Sequence, residues 1–122
     1  MGLRQERLAD EIRDVLASCF QGGQMQDPRL ANVTITAVKL TGDLQQSAVY
    51  FRLYEPESEQ VSPEKKEKAI ADAKAGLASA SGYLRKRIGE AILLRRVPSV
   101  RFVYDESVAR GALIEKLLAK LD

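Results

Sequence analysis

The chain contains no histidine. That removes the commonest general base, every His-based catalytic triad and most catalytic zinc sites. It contains one cysteine, Cys19, so neither an internal disulfide nor a cysteine metal cluster can form. A single thiol fits a reducing cytoplasm. There is no tryptophan, and only three Phe and four Tyr are present. The aromatic platform of a typical single-strand stacking protein is therefore not expected. No apolar run approaches the roughly 20 residues that cross a bilayer. The opening Met1-Gly2-Leu3-Arg4-Gln5-Glu6 has no apolar signal core, and Glu6 stands where a myristoylation site has Ser or Thr. A cytoplasmic protein with no membrane partner is expected. Neither G-x-x-x-x-G-K-[ST], nor G-x-G-x-x-G, nor G-x-S-x-G occurs. These absences argue against an enzyme and predict no catalytic residue, no metal and no cofactor.

What is present is a chain of 122 residues, 45% apolar and 30% charged, enough for one compact domain spanning 1–122. Its 19 basic and 17 acidic residues leave a formal net charge of +2. Their distribution is uneven. Residues 1–63 hold 6 basic and 9 acidic side chains, and residues 64–122 hold 13 and 8. From Tyr83 to Arg101 the chain carries Arg85, Lys86, Arg87, Arg95, Arg96 and Arg101 against Glu90 alone. Such local excess suggests a polyanion partner.

Apolar spacing orders the elements. Leu8, Ile12, Val15, Leu16 and Cys19 recur at three and four, which predicts a helix over about Arg4 to Phe20, ended at Gly22-Gly23. Cys19 falls within that apolar arc, so a buried, inert thiol is expected. Asp27-Pro28-Arg29 marks a rigid loop. Residues 33–40 and 46–54 read as strands joined through Thr41-Gly42-Asp43, an antiparallel hairpin. On the second strand Ser47, Val49, Phe51 and Leu53 share one face, and Ala48, Tyr50, Arg52 and Tyr54 the other. Glu55 to Val61 is a polar loop. Ser62-Pro63 caps and starts a second helix with a stripe of Ile70, Ala73 and Leu77. Gly82 in Ala80-Ser81-Gly82 predicts a kink, with a third helix following on Leu84, Ile88, Ala91 and Ile92. Ser99 to Tyr104 alternates as a third strand, and Ser107 to Leu121 reads as a last helix.

The order α-β-β-α-(kink)-α-β-α, with a three-stranded sheet and helices packed on one face, is an α+β layer. It is also the outline of a KH-type nucleic-acid domain, whose GXXG loop would fall at Ala80-Ser81-Gly82. On the third helix Arg85, Lys86 and Arg87 spread over the exposed half, at about 100° per residue. Arg95 and Arg96 extend the charge beyond its end. Macrodipole compensation would account for one or two such cations, not five. These five are candidate phosphate contacts. Arg4 and Arg7 on the first helix are candidate additions, although Glu11 stands at i+4 from Arg7. Small Ala80, Ser81 and Gly82 would allow RNA backbone to approach. A different class remains open, a protein–protein adaptor using the sheet edge and the acidic first half.

Several motifs in series resemble the bacterial ribosome-binding factor A family. They are Arg4-x-x-Arg7-Leu8 with Ile12 and Leu16, and Asp27-Pro28-Arg29 followed by Val33-Thr34-Ile35-Thr36. Asp43-Leu44 with Ala48-Val49-Tyr50 follows, then Ala80-Ser81-Gly82-Tyr83-Leu84-Arg85, Leu94-Arg95-x-x-Pro98 and Phe102-x-x-Asp105-x-Ser107. Of these, Ala80-Ser81-Gly82 resembles the Ala-x-Gly kink that replaces GXXG in that family. The resemblance implies a type II KH-like fold and a monomeric, non-enzymatic ribosome assembly factor. Its partners would be the immature 30S ribosomal subunit and 16S rRNA near the 5′ region. Its role would lie in late small-subunit maturation, rRNA 5′-end processing and cold adaptation.

Overall fold

The computed structural model describes residues 2–21, 25–54 and 62–106. The first helix, α1 (Gly2–Gln21), follows the predicted apolar stripe. Leu8, Ala9, Ile12, Leu16 and Cys19 are buried and Val15 is half-buried. A single 3-10 turn, Pro28–Leu30, follows. Asp27 caps it by accepting from the Arg29 backbone N–H at 2.9 Å, and its carboxylate also takes the Arg29 guanidinium at 2.7 Å. The Arg29 side chain, then its backbone N–H, hold the Asp27 carboxyl below its ordinary range.

Strands β1 (Val33–Leu40) and β2 (Gln46–Leu53) form the expected antiparallel hairpin, with a bulge at Thr36 between Ile35 and Ala37. Because of the bulge, the inward residues of β1 shift from Val33 and Ile35 to Val38 and Leu40. The turn is held by the Asp43 carboxylate, which accepts from the Thr41 hydroxyl at 2.6 Å and the Gln45 N–H at 3.1 Å. Leu44 in this turn has φ 60°, a left-handed conformation unusual for a side chain of its size.

The chain then crosses over through a long helix, α2 (Pro63–Ala91), to β3 (Ser99–Tyr104), which pairs parallel to β2. The sheet order is β1-β2-β3. As expected, Ser62 caps α2, with its hydroxyl accepting from the Lys65 N–H at 3.3 Å, and Pro63 opens the helix. The core lies between α1, α2 and one face of the sheet. Val49 and Phe51 of β2 and Leu77 and Leu84 of α2 are completely buried there. Phe51 meets Tyr104 edge to face, with ring centroids 5.5 Å apart. Both described helices pack on this face. No helix among the described residues is long and apolar enough to cross a membrane. The expected last helix, 107–121, lies outside the described residues.

The expected break into two helices at Gly82 is not found. One unbroken helix of 29 residues replaces the two expected. The reason is phase. Ala73, Leu77, Ala80, Leu84 and Ile88 follow one another at intervals of three and four, so the two stripes are a single stripe. Gly82 takes no left-handed φ, and a Cβ added to it would meet open space. The glycine that a close approach requires is Gly76. A Cβ there would lie 3.0 Å from the buried Leu30 and 3.3 Å from both Arg29 Cβ and the Asp27 carboxylate. Here α2 rests directly on the 3-10 turn. The two glycines should therefore respond with opposite signs. Gly82→Ala should stabilise by about 0.5–1 kcal/mol through helix propensity. Gly76→Ala should destabilise by about 1 kcal/mol through overpacking against the cap. Denaturant melts of the two variants check this, and a destabilised Gly82→Ala would restore the kink.

Candidate nucleic-acid interface

The ten residues singled out in the sequence fall into three groups. Ala80, Ser81 and Gly82 lie inside α2 and do not form a loop. Ala80 and Ser81 are half-buried, Gly82 is exposed, and the Ser81 hydroxyl donates to the Ala78 carbonyl at 2.9 Å. Ala80 lines a small depression with Met25, Leu30, Gly76 and Tyr83. No GXXG-like turn is therefore presented by this segment.

Arg85, Lys86 and Arg87 begin one turn later and have different surroundings. The Arg85 guanidinium donates to the Val97 carbonyl at 3.0 Å and the Pro98 carbonyl at 3.3 Å. It ties α2 to the connector that leads into β3. Arg87 is half-buried, lies 3.8 Å from Glu90 and has a buried Nε without a hydrogen-bond partner. Arg85 and Lys86 are both exposed without a carboxylate partner among the described residues, and Lys86 alone of the three makes no hydrogen bond or ion pair there. Three consecutive helical positions point about 100° apart, so one faces the connector, one the helix flank and one the solvent.

The third group is assembled by the fold. Arg4 and Arg7 of α1 line a depression with Leu44 and with Ile92, Leu93 and Leu94 of the connector. Arg95 and Arg96 follow immediately and are exposed. Gln5 of α1 donates to the Leu40 carbonyl and holds this end of the helix on the sheet. Cations far apart in the chain thus gather around the α2–β3 connector, with Glu11 as the acidic side chain of the depression. Leu93 is fully exposed and Leu3 is 67% exposed, so apolar side chains interleave with the arginines.

No group of three or more His, Cys, Asp or Glu side chains able to hold a metal occurs among the described residues. Cys19 is buried in the core. Asp105, which follows β3, accepts from the Thr36 hydroxyl at 2.7 Å across the sheet. Two further cations were missed as a pair. Lys39 and Arg101 both stand opposite Ala48, on the face of the sheet away from the described helices. Only the register places them together, and the register depends on the bulge at Thr36.

A small three-stranded sheet backed by helices, with cations gathered at one end, is a KH-like domain. The ribosome-binding factor A family model matches residues 4–118, and the chain belongs to that family. It is 37% identical over 118 residues to the ribosome-binding factor A of Geobacter strain M21, covering 97% of this chain and 90% of that protein. Among solved structures it resembles a Thermotoga maritima protein described as a putative ribosome binding factor A. That likeness has 28% identity and a TM-score of 0.65, over 84% of this chain and 88% of that one. It also shares its fold with a Thermus thermophilus ribosome binding factor A homology model fitted into a cryo-EM map of a 30S complex. There the identity is 24% and the TM-score 0.58, over 80% and 91% of the two chains.

The two neighbours on α2 should separate stability from binding. Arg85→Ala removes two hydrogen bonds to backbone carbonyls and should cost about 1–2 kcal/mol. Lys86→Ala should stay within about 0.5 kcal/mol of the parent. Thermal and urea melts of both variants test this, and an Arg85→Ala protein of parental stability would free Arg85 for a ligand.

Proposed function

We propose that this chain binds the immature 30S ribosomal subunit through 16S rRNA and assists late small-subunit maturation, including processing of the rRNA 5′ end. Family membership along almost the whole chain carries this reading. The relative fitted into a 30S complex supports the choice of particle. The protein acts by binding alone, in the cytoplasm, as a monomer formed by one domain.

Exposed Arg4, Arg7, Lys86, Arg95 and Arg96 neutralise rRNA phosphates. Each contact releases counterions, which makes affinity fall steeply with salt. Arg85 contributes indirectly, by fixing the connector that carries Arg95 and Arg96. Ala80, Ser81 and Gly82 offer a helix surface of small side chains, not a backbone clamp, so their part is shape.

Sedimentation of cell extract through a sucrose gradient tests the assignment. The protein should travel with free 30S and be absent from 70S. The triple variant Lys86→Glu, Arg95→Glu, Arg96→Glu should remain at the top of the gradient with unchanged far-UV circular dichroism. A folded triple variant that still travels with 30S would remove this cluster from the interface. A wild-type chain absent from the 30S fraction would overturn the function itself.

A further inference from the structure

The face of the sheet opposite the described helices has its own charge pattern. Its geometry follows from the register. Lys39 of β1 and Arg101 of β3 both pair with Ala48 of β2. Two cations therefore stand on either side of one methyl group, one strand spacing of roughly 4.8 Å away on each side. Thr41, Gln46 and Ser99 complete the polar walls of the depression between them. The next row along β2 is Ala37, Tyr50 and Val103, and beyond it lie Arg52, opposite Thr34, and Tyr54. Lys39 Nζ sits 5.5 Å from the Tyr50 ring centroid, and Tyr54 is 66% exposed. Small, aromatic, basic and aromatic side chains thus succeed one another along one strand.

Among the described residues, the carboxylates of the hairpin turn and of the end of β3 are engaged. Asp43 accepts from Thr41 and Gln45, and Asp105 accepts from Thr36. Lys39 and Arg101 are exposed and have no carboxylate partner among the described residues. The face is therefore complementary to an anion. We infer that it binds a single-stranded RNA segment, with Lys39 and Arg101 clamping a phosphate over Ala48 and unpaired bases lying on Tyr50 and Tyr54. Aromatic faces accept bases only when these are unstacked, which selects a single strand over a duplex. This surface is separate from the cations around the α2–β3 connector. It rests on the reading of the chain as an rRNA-binding protein and adds a second, sheet-borne contact.

Fluorescence anisotropy of the full chain with a labelled oligouridylate, measured across a salt series, tests the inference. Each phosphate contact to a single strand contributes roughly 0.7 to the slope of log affinity against log salt. The double variant Lys39→Gln, Arg101→Gln should therefore flatten the slope by about 1.4 while keeping the parental circular dichroism. If the double variant loses structure, each single variant should flatten it by about 0.7. Tyr54→Leu should lower affinity about tenfold with little change in slope, since stacking releases no counterions. An unchanged slope in the folded variants would overturn the inference, as would tighter binding to a duplex of the same length or no measurable binding of oligouridylate at low salt. Parallel sedimentation with 30S keeps the two readings apart. Wild type that travels with 30S but ignores oligouridylate leaves the function standing and removes the sheet contact.

Discussion

The parallel pairing of β3 with β2 is the constraint from which the rest of the architecture follows. Two parallel neighbours cannot be joined by a tight turn, so the chain must return over the sheet. It does so through α2, whose 29 residues reach about 44 Å at 1.5 Å per residue. Strands of eight residues reach only about 26 Å. The buried positions of α2 run from Ala73 to Ile88, a span that matches the sheet. Everything the helix needs to stay in place is therefore concentrated in its middle. Ala73, Leu77, Leu84 and Ile88 share one core with Val49 and Phe51, and Gly76 lets the helix settle on the 3-10 turn.

The same return path shapes the proposed interface. The connector from Ile92 to Pro98 must turn the chain from the end of α2 into β3 within a few residues. It comes to lie beside the first turns of α1, where Arg4 and Arg7 line one depression with Ile92, Leu93 and Leu94, the residues that precede Arg95 and Arg96. Arg85 fixes the geometry by holding two carbonyls of the connector. A cation in a basic cluster is thus spent on scaffolding, and its neighbours gain a defined placement from it. Charge neutralisation of RNA needs only that cations be exposed and close together. It does not need each to be free.

Much of this fold was legible in the residues because burial imposes period. The α1 stripe, the alternation in β2 and the Ser62-Pro63 start each follow from a local pattern with one physical cause. Gly82 misled because a glycine is a strong local stop signal, whereas continuity of an apolar stripe is a signal spread over about four turns. The phase from Ala73 through Ile88 was readable, and it outweighed one residue's propensity. Arg85 could not be assigned from sequence, because its carbonyl partners lie twelve and thirteen positions away and meet it only after the chain turns. Lys39 and Arg101 lie further apart still, and a bulge of one residue decides whether they share a face.

The mismatch between helix and sheet leaves the first turns of α2 beyond the core. From Pro63 to Lys68 the residues are exposed, apart from half-buried Lys66, and none belongs to the core. A helix that enters the core at its centre, and at one end does not among the described residues, does not open as a unit. Its amide protection should rise along its length, low in the charged turns after Ser62 and approaching the global value near Leu77 and Leu84. The segment can then change conformation or sequence at little cost to the domain. One continuous helix would in this way contain both the most persistent and one of the most yielding parts of the molecule.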